Sequence, residues 1–152
     1  MSPEYRASNI ASWESLEGFV KSFPDESWAG WKTLADRFIA VGRDHSLHEY
    51  FRGGQSMHDF LFSTAVKHGL PLDAPKVRVS LHPPDRLTVA YEPGIPAAGS
   101  DARLEYTLNF DDAITTFRRF LNHLWTMTTS EPIPQQLRAP FASFVAPVLP
   151  QQ

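Results

Sequence analysis

Cysteine is absent from all 152 residues. Disulfide frameworks and thiolate nucleophiles are therefore closed to this chain. A basic surplus is also missing, since 14 Lys and Arg stand against 17 Asp and Glu, for a formal charge of −3. That balance creates no field to gather a phosphate backbone, which argues against nucleic-acid binding. Long apolar runs are lacking as well. No stretch approaches the ~20 apolar residues of a membrane span. The opening MSPEYRASNIASW has no apolar core of a secretory leader. A cytoplasmic protein with no membrane partner is the expectation.

Core material, by contrast, is plentiful. Hydrophobic residues make up 42 % and aromatics 12 %, with eleven Phe and four Trp. A chain of this length fits one domain and can bury roughly two-thirds of its unfolded surface. It needs no staples to fold. With no internal repeat and no composition break, residues 1–152 read as a single domain, with 1–8 and 149–152 expected to be loose.

The periodicity divides the chain in two. Trp13, Leu16, Phe19 and Val20 draw one helical stripe, predicting a helix over 12–22 that Phe23-Pro24 stops. Asp25 is placed to cap a second helix over 25–41, with Trp28, Trp31, Leu34, Ala35, Phe38 and Val41 inward. Gly42 follows as a left-handed C-terminal residue. The two tryptophans share that stripe with Leu34 and Phe38, so they read as core rather than as a stacking box. A short helix is expected over 45–51. Ser56 and Asp59 have capping-box spacing, predicting a helix over 56–68 that carries Met57, Phe60, Leu61, Ala65 and Val66. The period then changes to two. Val77, Val79 and Leu81 alternate with polar residues, as do Leu87, Val89 and Tyr91 beyond the Pro83-Pro84-Asp85 turn, and Leu104, Tyr106 and Leu108 after a Gly/Pro/Ala-rich loop. Three antiparallel strands are expected near 76–82, 87–92 and 102–109. Asn109 to Asp112 opens a long helix over 111–127, with Ile114, Phe117, Phe120, Leu121 and Leu124 inward and Arg118 and Arg119 outward. Five prolines between Glu131 and Gln152 forbid a further long helix. Phe141, Phe144, Val145 and Val148 predict that this tail wraps the body. The fold class is α+β.

Polar and aromatic groups crowd together most in RDHSLHEYFRGGQSMHDFLF, residues 43–62, which holds three of the six histidines and the one Gly-Gly pair. Read between two helical pieces, Gly53 and Gly54 form a joint. A metal site would draw on His45, His48, His58 and Asp59. The His58-Asp59 pair resembles the signature of the metal phosphohydrolases named after that dipeptide. Their further His and distant Asp belong to an all-helical scaffold, whereas strands follow here. Zincin spacing is missing. Surface or capping histidines are the simpler account. Arg52-Gly53-Gly54-Gln55-Ser56, read as leading into a helix, offers an anion cradle without the Walker lysine or dinucleotide glycine spacing. No Gly-x-Ser-x-Gly elbow occurs. Glu105, Asp111 and Asp112 could share acid–base work, but capping explains the Asp pair. No cofactor is implied and no catalytic residue is assigned.

A compact α+β body with no cysteine, no leader and no catalytic set resembles the small acidic immunity proteins that bacteria encode beside secreted toxins. The resemblance is of type, spans the whole length, and rests on no diagnostic motif. It implies a non-enzymatic domain that binds a cognate toxin and occludes it. The expected contacts are His48, Glu49, Tyr50, Arg52 and Gln55, because Tyr and Arg are favoured interface anchors. Two alternatives stand beside it: a metal-dependent hydrolase using the His/Asp cluster, and a self-associating structural protein. Oligomeric state is left open by the sequence.

Overall fold

The computed structural model describes residues 1–65, 74–94 and 103–138. Helix α1 spans Pro3–Lys21 and α2 spans Asp25–Asp44. A single turn, α3, covers Leu47–Tyr50. Five strands follow: β1 Arg52–Ser56, β2 Asp59–Ser63, β3 Lys76–His82, β4 Arg86–Glu92 and β5 Leu104–Asn109. Helix α4 runs over Phe110–Thr128, and a 3₁₀ turn covers Gln135–Leu137. The strands lie in sequence order in one antiparallel sheet. The chain is a single α+β domain.

Helices pack on one sheet face only, among the described residues. Directly paired residues share a face, so Phe60, Val79, Val89 and Tyr106 form one row. Phe38 of α2 and Phe117 of α4 lie 5.1 Å apart, and both reach Phe62 from that side. Trp13 of α1 meets Phe62 at 5.2 Å. These aromatic rings and the inward valines make the core. On the opposite face a charged ladder crosses the strands. Arg78 bonds Asp59 (3.1 Å) and Glu92 (3.2 Å), and Arg103 bonds Glu92 (3.0 Å) and Glu105 (2.8 Å).

The strands of 76–109 and the last helix lie within a few residues of expectation. Asn109 caps α4, accepting from the Asp112 N–H at 3.0 Å, and all five inward residues of α4 are buried. Arg118 is not outward; it is 8 % exposed and donates from Nη2 to the Arg138 carbonyl at 2.9 Å.

The stretch 56–68 is the main correction. It does not form a helix: β1 and β2 make a hairpin, and residues 66–68 lie outside the described set. Ser56 and Asp59, read as a capping box, close its two-residue turn. Gly53 and Gly54 are strand residues, not a joint. The physical reason is that β2 is hydrogen-bonded on both edges and buries Phe60, Leu61 and Phe62 in succession, as an interior strand can. Among the described residues the sheet therefore has five strands rather than three.

Smaller corrections concern the helices. Residues 3–8, expected to be loose, are the first turns of α1. Ser2 caps it by accepting from the Tyr5 N–H (3.1 Å), and Pro3 takes the first position, where its missing N–H costs nothing. Pro24, not Asp25, is the N-cap of α2. Gly42 is inside α2, where a Cβ would lie 2.5 Å from the Trp13 ring. Its role is to let that ring approach. At the C-terminal end, Leu137 is buried and Ile133 packs against the core, while Trp125 Nε1 donates to the Glu131 and Pro132 carbonyls at 3.2 Å each. The expected wrapping over Phe141 to Val148 and the loose end 149–152 lie outside the described residues.

Candidate functional site

Two surfaces emerge from the 43–62 stretch, one at each end of β1. Its five residues span about 16 Å at ~3.3 Å per residue.

At the first end, α3 and the start of β1 are locked to α1. Tyr5 donates its hydroxyl to the Tyr50 carbonyl at 2.6 Å, and Asn9 Nδ2 donates to the Glu49 carbonyl at 3.0 Å. Arg6 pairs with the Glu49 carboxylate. Arg52 is 7 % exposed and donates to Ser8 Oγ at 2.9 Å. Trp13 Nε1 donates to the Phe51 carbonyl at 2.9 Å. The Gly53 N–H on the sheet edge is met by Ser12 Oγ at 2.8 Å. These bonds need α1 to lie flush on β1, and Gly53 permits it, since a Cβ there would sit 2.7 Å from Leu16 Cδ1. Of the expected contact residues, His48 stacks edge-on with Trp13 (6.2 Å) and Tyr50 with Trp125 (5.8 Å). His48, Glu49, Tyr50 and Arg52 thus each hold an intramolecular contact. Gln55 alone of the five is exposed.

At the other end is the hairpin turn, Met57-His58. Met57 is 82 % exposed, the most exposed large apolar side chain among the described residues. Its φ of 56° is left-handed, a conformation that costs a non-glycine residue of order 1 kcal/mol. Next to it in the turn, His58 lies over Trp28, with centroids 4.7 Å apart and planes 32° apart. Phe23 meets Trp28 at 4.7 Å and His58 at 5.6 Å. Trp31, buried, closes the cluster from below at 5.1 Å from Phe23. Phe23 and Trp28 remain half-exposed. The core reading of the two tryptophans therefore holds for Trp31, whereas Trp28 is a surface residue backed by the core. Asp25 and Glu26 stand exposed at this rim, with Lys32 bridging Asp25 Oδ1 (2.7 Å) and the Phe23 carbonyl (3.0 Å).

The metal reading finds its residues apart. His45 is the C-cap of α2, His48 faces Trp13, His58 stacks on Trp28, and Asp59 is paired with Arg78. Among the described residues no three His, Cys, Asp or Glu gather at one point. The anion cradle is also undone, because Arg52–Ser56 leads into a turn rather than a helix. Burial lowers His45 and His48 from the usual imidazole range, with Arg118 adding to the effect on His45 and Arg43 on His48. Burial likewise raises the Tyr5 phenol.

The hairpin patch was not assembled from the sequence, although each member was visible in it. An exposed Met and a Trp on a core stripe become one surface only once the hairpin register is known. Compared with known proteins, the chain matches no family model, no curated protein and no solved structure. Among the described residues no helix is long and apolar enough to cross a membrane.

Proposed function

We propose that the chain is a non-enzymatic protein-binding domain, of the kind that immunity proteins represent, which binds and inhibits a cognate bacterial toxin. Its docking face is the β1–β2 hairpin end: Gln55, Met57 and His58 with Trp28 and Phe23. The observation that carries this reading is Met57. A large apolar side chain held 82 % exposed on a left-handed backbone has no folding role, and its backbone strain is tolerated rather than removed. Its neighbour in the turn, His58, packs against the half-exposed rings of Phe23 and Trp28, the side-chain chemistry that interface centres favour. The exposed acids Asp25 and Glu26 and the formal charge of −3 suit a basic partner, whose encounter opposite potentials would speed.

This moves the centre of the interface from His48, Glu49, Tyr50 and Arg52 to the far end of the same hairpin, with Gln55 common to both. The test is binding to the toxic domain encoded in the neighbouring reading frame, by calorimetry. Trp28→Ala and Met57→Ala should each weaken it by at least ~2 kcal/mol, about thirtyfold. Met57→Gly should weaken binding equally while leaving the melting temperature unchanged or raised, because glycine accepts the left-handed backbone. Tyr50→Ala and Arg52→Ala should lower stability with affinity retained in the folded fraction. Full affinity in both hairpin variants, or affinity lost only through Tyr50 and Arg52, would return the interface to the α3 end.

A further inference from the structure

The sheet ends in two edge strands that the fold treats differently. An unpaired edge is a template for another strand unless something blunts it. Helix α1 blunts β1: Ser12 Oγ takes the Gly53 N–H, and Ser8, Trp13 and Leu16 close against the strand. Among the described residues, strand β5 has no such cover. Its only strand neighbour among the described residues is β4. Leu104–Asn109, LEYTLN, contains no proline, no glycine and no lysine. Leu104, Tyr106 and Leu108 form a half-exposed apolar row on the helix-packed face, and Glu105, Thr107 and Asn109 are exposed on the other.

We propose that β5 pairs antiparallel with β5 of a second copy of this chain, across a twofold axis at Tyr106, so that two sheets become one. An isologous contact brings each residue opposite one determined by the axis. With the axis at Tyr106, the ring meets its own copy and Leu104 meets Leu108 of the other chain, apolar against apolar. Glu105 meets Thr107, so the strand's one charge faces a hydroxyl. With the axis at Glu105, two carboxylates would face each other directly, which is destabilising. The strand is thus self-complementary in a register that keeps both faces matched, as sheet pairing requires. The occupant this sequence fits is itself. The hairpin end, at the opposite side of the sheet, stays free for a different partner.

Sedimentation equilibrium on the full chain over about 1–200 µM tests this. Wild type should be a dimer whose fraction rises with concentration. Thr107→Glu sets a new carboxylate opposite Glu105 twice across the axis and should weaken the dimer at least about tenfold at low salt. Adding Glu105→Lys to that variant turns both repulsions into attractions and should restore it. As a second measure independent of any substitution, hydrogen exchange at β5 amides in wild type should slow as concentration rises. A monomer throughout the range, a dimer indifferent to Thr107→Glu, or β5 exchange that ignores concentration would each overturn the proposal.

Discussion

Two glycines and one arginine carry the residue-scale argument. Gly42 and Gly53 both face α1, yet their substitution should differ in cost. A Cβ on Gly42 would meet the Trp13 ring at 2.5 and 2.6 Å. That ring is fully buried, and its indole N–H is tied to the Phe51 carbonyl, so it cannot slide away cheaply. The overpacking cost of ~1–3 kcal/mol should outweigh the ~1 kcal/mol of helix propensity that alanine gains. At Gly53 the nearest atom is Leu16 Cδ1 at 2.7 Å, a terminal methyl rather than a rigid ring, and a strand tolerates alanine. Urea titration should find Gly42→Ala destabilised by about 1–2 kcal/mol and Gly53→Ala by less; the reverse order would mean that Trp13 yields more readily than Leu16. Arg118 poses the opposite problem. Its side chain is buried, and among the described residues its Nε has no partner and no carboxylate pairs with it. Burial alone lowers its pKa. A buried charge without a counter-charge is replaced by an apolar side chain of similar length at little cost or with a gain. Arg118→Met should therefore keep or raise the urea midpoint even though the bond to the Arg138 carbonyl is lost; a fall of more than about 1 kcal/mol would show that this bond anchors the C-terminal segment.

At the scale of elements, what the sequence made legible depended on how local the signal was. Strands β3 and β4 alternate cleanly, are joined by the Pro83–Asp85 turn and pair over seven residues. Their signal is contained in about twenty residues of chain, the span of one hairpin. Helix α4 likewise carries its own cap at Asn109 and its own apolar stripe. The β1–β2 hairpin has neither advantage. Met57, Phe60 and Leu61 fall at helical spacing by accident, and the turn holds Met57-His58 instead of the Asn-Gly or Gly-Gly that signals a hairpin. What decides for strand is non-local: β3 pairs with β2 on one side, and α1 satisfies β1 on the other through Ser12. The beginning of α1 was missed for a related reason. Residues 3–8 show no apolar stripe because their work is polar, with Tyr5, Arg6 and Ser8 each bonding to the Glu49–Arg52 segment. The candidate site inherits this limit. Trp28 and His58 stand far apart in the chain, and only the hairpin turn brings the imidazole onto the indole. A helix over 56–68 leaves His58 as a possible ligand and Trp28 as core; the hairpin makes them one surface.

For the whole molecule, the two histidines at the α2–α3 junction set how stability responds to pH. His45 and His48 both have folded-state pKa values below the ordinary value of 6.5, chiefly because burial penalises the charged ring. The neighbouring cations act in the same direction: Arg118 on His45, and Arg43 and Arg6 on His48, with Asp44 and Glu49 opposing. In the unfolded chain both rings regain the ordinary value. Between the two values the unfolded state binds more protons, so stability rises with pH in that window. The contribution of these groups is complete above about pH 6.5 and is lost progressively as pH falls below it. The loss has a structural address. His48 Nδ1 is buried without a partner among the described residues, beside the Trp13 ring, so a proton placed there meets no acceptor among them, and α3 with the α1 contacts at Glu49 and Tyr50 should loosen first. Urea unfolding at a series of pH values should give a midpoint that is level above about pH 7 and declines from about pH 6.5 downward. His48→Leu should flatten that decline, as the apolar side chain keeps the packing against Trp13 and has no proton to take. A midpoint that holds level to about pH 5.5 in wild type, or a decline as steep in His48→Leu as in wild type, would place the acid sensitivity of the fold outside this junction.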